Sequence, residues 1–88
     1  MRKLYAIETA RFDSGDVSGF LMTGSGEVLH GHMSSSPEWL RMDLLSNFGR
    51  AAALTERFGD FEVVYVAAGD DIPAEIEKYF DLPENEEA

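Results

Sequence analysis

Residues 61–68, FEVVYVAA, constrain the fold more than any other stretch. The run is rich in valine and nearly continuous in apolar character, as expected of a central strand covered on at least one face. Such a strand needs partners, and three candidates precede it. Residues 4–9 (LYAIET) alternate, with Tyr5, Ile7 and Thr9 on one face and Leu4, Ala6 and Glu8 on the other. Residues 17–23 (VSGFLMT) and 27–32 (EVLHGH) read as a second and a third strand. Asp13-Ser14-Gly15-Asp16 and Gly24-Ser25-Gly26 separate them with turn signals, so the three form an antiparallel meander.

A helix begins after Ser34-Ser35-Ser36-Pro37-Glu38. Serine accepts from orphan N–H groups, proline suits the first helical position, and Glu38 suits the positive end of the dipole. Leu40, Leu44, Phe48, Ala51, Ala52 and Phe58 follow at near-helical spacing, and Gly59 is a stop. Gly49 weakens this helix by ~1 kcal/mol relative to alanine, and either breaks it in two or lets it approach the sheet closely. Asp70-Asp71-Ile72-Pro73 opens a second helix with Ile72, Ile76 and Phe80 on one stripe, and Leu82-Pro83 ends it. The element order is β-β-β-α-β-α. The helix between the third and fourth strands is long enough for a crossover that pairs the fourth strand with the first. The expected fold is one α+β domain over residues 1–83, a mostly antiparallel four-stranded sheet of order 3-2-1-4 with two helices, followed by an acidic tail at 84–88.

At 88 residues the chain buries only about 60–65% of its unfolded surface. Its 44% apolar content and ten aromatics still supply a core. It has no cysteine, hence no disulfide framework, thiolate metal site or cysteine nucleophile, which fits a reducing cytoplasm. No apolar run approaches the ~20 residues of a membrane span. Met1-Arg2-Lys3 leads into no signal-peptide core.

Charge points to a class of partner. Residues 60–88 hold ten acids and one base, so −9 of the net −10 lies in the closing third. Free nucleic acid and anionic lipid are disfavoured as direct partners, and a basic protein surface is favoured. Asp70, Asp71 and Glu75 have a structural reason at a helix N-terminus. Glu77 and Asp81 are like charges four apart, which costs ~0.2–0.5 kcal/mol. The candidate partner-binding set is Asp60, Glu62, Asp70, Asp71, Glu75, Glu77, Asp81, Glu84, Glu86 and Glu87. Helical positions four apart lie about 6 Å apart along the axis. Phosphates on one DNA strand step by about 3.4 Å. Carboxylates on two turns can therefore stand in for neighbouring phosphates and occupy the basic groove of a nucleic-acid-binding protein. No cofactor is expected.

This short, cysteine-free, strongly acidic profile resembles small phage-encoded inhibitors of host defence, the anti-CRISPR and anti-restriction DNA mimics. The resemblance rests on size and on the charge of residues 60–88. It implies a stoichiometric inhibitor acting in the host cytoplasm without chemistry of its own. An antitoxin-like or regulatory partner protein is the same idea with a different basic target.

From another class, the element order is similar to the core of RNase H-like nucleases. That resemblance implies a two-metal site from Glu8 on the first strand, Asp43 on the first helix and Asp70 or Asp71 after the fourth strand. Three departures stand against it: glutamate at the first-strand position, no fifth strand, and a net charge that repels nucleic acid. His30 and His32 share one strand face but need further ligands to hold a metal. Trp39, Met42 and Met33 lie off the main helix stripe. Either they form an exposed patch marking a protein or homodimer contact, or Trp39 lies over the sheet edge as ordinary core, the reading favoured here. Both monomer and homodimer are compatible with the sequence.

Overall fold

The computed structural model describes residues 2–46 and 49–80. Its elements are β1 (Arg2–Arg11), β2 (Val17–Thr23), β3 (Val28–Ser34), α1 (Pro37–Leu45), α2 (Arg50–Phe58), β4 (Phe61–Val66) and a closing 3-10 helix (Ala74–Tyr79). The sheet order is β3-β2-β1-β4. The three-strand meander is antiparallel, and β4 runs parallel to β1 with Leu4 opposite Val63 and Ala6 opposite Tyr65. Parallel pairing requires a crossover, which α1 and α2 supply.

Alternation along the strands makes two cores. On one face Leu4, Ala6, Val17 and Leu21 meet Leu40, Leu44 and Leu54 of the helices. On the other, Tyr5, Ile7, Met22 and Val66 meet Ile76 of the 3-10 helix, and Phe80 stacks on Phe20 at 6.2 Å between centroids. Each fully buried aliphatic side chain contributes about 1.5–3 kcal/mol relative to exposure. Gly19 sets how closely α1 approaches. A Cβ there would lie 2.5 Å from the Ile7 carbonyl oxygen and 2.9 Å from Leu40 Cδ2.

Two expectations are corrected, and one left open is decided. Residues 61–68 do not form a central strand, because β4 is a sheet edge. Its continuous apolar character comes from cover on both faces, the helices on one side and the 3-10 segment on the other. Of the two outcomes that Gly49 left open for the helix between β3 and β4, the break in two is the one observed. Ser46 closes α1 through its N–H to the Met42 carbonyl, and α2 starts from Gly49 at φ 75°. That positive φ is cheap for glycine alone.

The last helix is 3-10 and not α. Ile76 N–H donates to the Pro73 carbonyl and Phe80 N–H to that of Glu77. Three residues per turn aligns Ile76 with Tyr79, so one enters the core and the other lies over Gly26. The helix start fulfils its reading: Ser36 Oγ accepts from Trp39 N–H at 3.2 Å, with Pro37 next. The expected tail at 84–88, Asp81, and Phe48 of the helix stripe lie outside the described residues.

Candidate anionic interface

Six of the ten acids proposed from sequence lie within the described residues, and all six are exposed. Asp60 sits in the turn entering β4. Glu62 lies on β4 opposite Lys3 of β1. Asp70 and Asp71 follow β4, where the Asp70 carboxylate accepts from Ala67 N–H at 3.3 Å. Glu75 and Glu77 ride on the 3-10 helix, which crosses the sheet as a strap. Asp81, Glu84, Glu86 and Glu87 lie outside the described residues.

The strap is tied down by one of these acids. Glu75 accepts a 2.7 Å hydrogen bond from the hydroxyl of buried Tyr5. Burial, then Glu75, push the Tyr5 phenol up to about 12. The Tyr5 hydrogen bond, aided by Lys3, holds Glu75 below the usual carboxylate range.

Among the described residues there are two ion pairs, Glu8–Arg11 and Glu27–Arg57, and a close Asp43–His32 contact. All draw their acids from the first 59 residues, and none takes an acid from 60–80. Several cations are held by other groups, although Lys3 acts on Glu75 and Arg11 feels Asp70. Arg2 and Arg57 lie over the Phe58 ring, Lys78 over Tyr79, and Arg50 donates to the Asp43 carbonyl.

Glu8, Asp43 and Asp70 are not brought together as a metal site. Glu8 is buried and accepts from Arg11 Nε at 2.8 Å, Arg11 Nη2 at 3.1 Å, the Tyr65 hydroxyl and Ala68 N–H at 2.9 Å. Arg11 chiefly, with Ala68 and Tyr65, outweighs the burial and holds this carboxyl down to about 2. Asp43 accepts from Ser34 Oγ and lies 3.4 Å from His32 Nε2. Among the described residues no group of three or more His, Cys, Asp or Glu is placed to hold a metal ion. No helix among them is long and apolar enough to cross a membrane.

The sequence did not announce the Glu8–Arg11 pair, since residues three apart on a regular strand face opposite ways. A bulge between Glu8 and Ala10 shifts the alternation, so Arg11 reaches the Glu8 side. His30 and His32 do share a face and stack at 5.9 Å. Burial first, then Arg50 and His32, push His30 below its ordinary value against the opposing pull of Asp43. Trp39 is 54% exposed, which overturns its reading as core. Comparison with protein-family models, with curated proteins and with solved structures finds no match to this chain.

Proposed function

We propose that this is a non-catalytic binding protein. Its β4 edge and strap dock in the basic groove of a nucleic-acid-handling protein, the carboxylates taking the place of phosphates. The observation that carries this reading is the set of exposed acids from Asp60 to Glu77, none of which forms an ion pair with a described residue. Asp60 and Asp70 flank β4, a strand about 20 Å long. That length matches about six phosphate steps of duplex DNA. The mimicry therefore rests on the strand edge and the turns at its ends. It does not rest on two turns of α-helix, because the acids at 75 and 77 sit on a 3-10 segment. Charge of one sign steers a cationic partner to this edge and accelerates encounter. A host-defence nuclease complex is the target class we favour. An antitoxin-like role uses the same surface.

The nuclease reading lacks comparable support. Its first-strand acid already accepts from an arginine fork, a phenol and a backbone amide.

The test combines Asp70→Lys, Asp71→Lys and Glu77→Lys in one chain. Immobilised wild type should retain a DNA-binding protein from host lysate, and excess duplex DNA should displace it. The triple variant should lose that retention at least 10-fold. Equal retention by both chains, or retention that DNA does not disturb, overturns the proposal.

A further inference from the structure

The sheet has a second edge with the opposite character. β3, VLHGHMS, carries no acid, lysine, arginine or proline in a chain of net charge −10. Natural edge strands are usually guarded by charge, proline or a bulge. The β3 bulge lies at its hairpin end, where Leu21 pairs with His30 and Met22 with Val28, so residues 30–34 are left regular. Val28 is 61% exposed and Met33 53% exposed, and Gly31 and His32 are exposed between them. Trp39 extends this surface. It lies one helical turn before Asp43, which touches His32 and Ser34 at the end of β3.

The strand is also self-complementary. Reflection through Gly31 exchanges His30 with His32 and Leu29 with Met33. In an isologous two-fold contact about Gly31, where residue i of one copy meets j of the other while j meets i, histidine therefore meets histidine and Leu29 meets Met33.

We infer that β3 pairs antiparallel with β3 of a second copy about a two-fold axis at Gly31, making a continuous eight-stranded sheet. A second copy fits this edge because like residues meet across the axis and because the edge itself carries no charge that would repel its twin. Two chains of charge −10 repel, so the tolerable contact is the one that keeps their acids apart. Pairing along β3 does so for the acids of 60–80, while the two acids beside β3 already have partners, Asp43 in His32 and Ser34 and Glu27 in Arg57. Asp60, Glu62, Asp70 and Asp71 stay with β4 at the two far ends of the joint sheet, and Glu75 and Glu77 stay on the strap. The histidine stack continues across the axis, with each His30 opposite the other copy's His32. The dimer would present two anionic edges facing away from each other. Association is read without any partner, so its outcome is independent of the binding role above.

Sedimentation velocity over a concentration series in 150 mM NaCl tests the association. Wild type should sediment as a dimer at micromolar concentration. The double substitution Val28→Lys and Met33→Lys should weaken association at least 10-fold with an unchanged circular-dichroism spectrum. Cross-linking tests the register, since the native chain has no cysteine. A Cβ at Gly31 meets nothing closer than the Gly19 carbonyl oxygen at 3.7 Å, so Gly31→Cys is sterically tolerated. Two thiols facing each other at the axis fall in the ~4.4–6.8 Å Cα range of a disulfide. Two at Val28 lie about 20 Å apart. Under mild oxidation Gly31→Cys should therefore couple at least 10-fold faster than Val28→Cys. A monomeric wild type, an equally strong dimer of the lysine variant, or equal coupling at the two positions overturns the inference. If the lysine variant fails to fold, the cross-linking comparison decides.

Discussion

Four donors converge on one carboxylate at Glu8, and this ties the ends of β1 and β4 together through Arg11, Tyr65 and Ala68. The folded carboxyl sits near 2 against an ordinary 4.5, so the unfolded chain binds its proton first. The stabilisation is therefore complete above pH 4.5 and is lost as pH falls toward 2. At about 1.4 kcal/mol per pH unit it is worth at most about 3 kcal/mol. Urea unfolding across pH 2–7 should show this acid limb. Glu8→Gln should flatten it, and should cost about 1–3 kcal/mol at pH 7 because the buried Tyr65 hydroxyl loses its carboxylate acceptor. An unchanged acid limb in the variant would assign it to other carboxylates. Two glycines offer a second contrast. Gly19→Ala drives a methyl into the Ile7 carbonyl and Leu40, and should cost about 1–3 kcal/mol, whereas Gly31→Ala meets only ordinary contacts and should be within about 0.5 kcal/mol of wild type. Thermal unfolding of the two variants checks both.

Among the elements, the strap carries the heaviest load for its length. Six residues of 3-10 helix cover the face built by Tyr5, Ile7, Met22 and Val66, and Ile76 is fully buried against them. Ile76→Ala should cost about 2–5 kcal/mol, while Glu77→Ala one position later should change stability by less than about 0.5 kcal/mol. Equal effects in urea titration would mean that the strap is not packed on the sheet. The strands were legible because their alternation and turn glycines agree, and the α1 start because serine, proline and glutamate occupy the capping positions their chemistry favours. Even the order β3-β2-β1-β4 followed from one crossover. What escaped depends on contacts distant in sequence. Ile72, Ile76 and Phe80 suit an α-stripe, whereas the segment closes i→i+3 hydrogen bonds and lays Tyr79 over Gly26, a contact far apart in sequence. Of the candidate interface, the exposure of the acids from Asp60 to Glu77 was legible in their composition. The Tyr5–Glu75 tie across 70 positions was not.

For the whole molecule the uneven charge has an energetic consequence apart from any partner. Acids from Asp60 to Glu77 repel one another, and among the described residues no ion pair offsets them, in a chain of net −10. Such repulsion destabilises the compact state. Salt should relieve it, because the screening length falls from about 30 Å at 0.01 M to about 8 Å at 0.15 M. Raising NaCl over that range should therefore stabilise the fold by about 1 kcal/mol, which for a domain of this size moves Tm upward by roughly 4–8 °C. Asp70→Lys with Asp71→Lys removes two negative charges from the crowded side and adds two positive ones, a net change of +4. That variant should start with a higher Tm in low salt and respond less to added NaCl. Scanning calorimetry at fixed protein concentration measures both chains. A Tm that is flat or falls as salt rises would mean that screening of Glu8–Arg11 and Glu27–Arg57 outweighs the relief. The acids would then be too far apart to act as one field, and both their mutual repulsion and their joint attraction for a basic groove would be lost together.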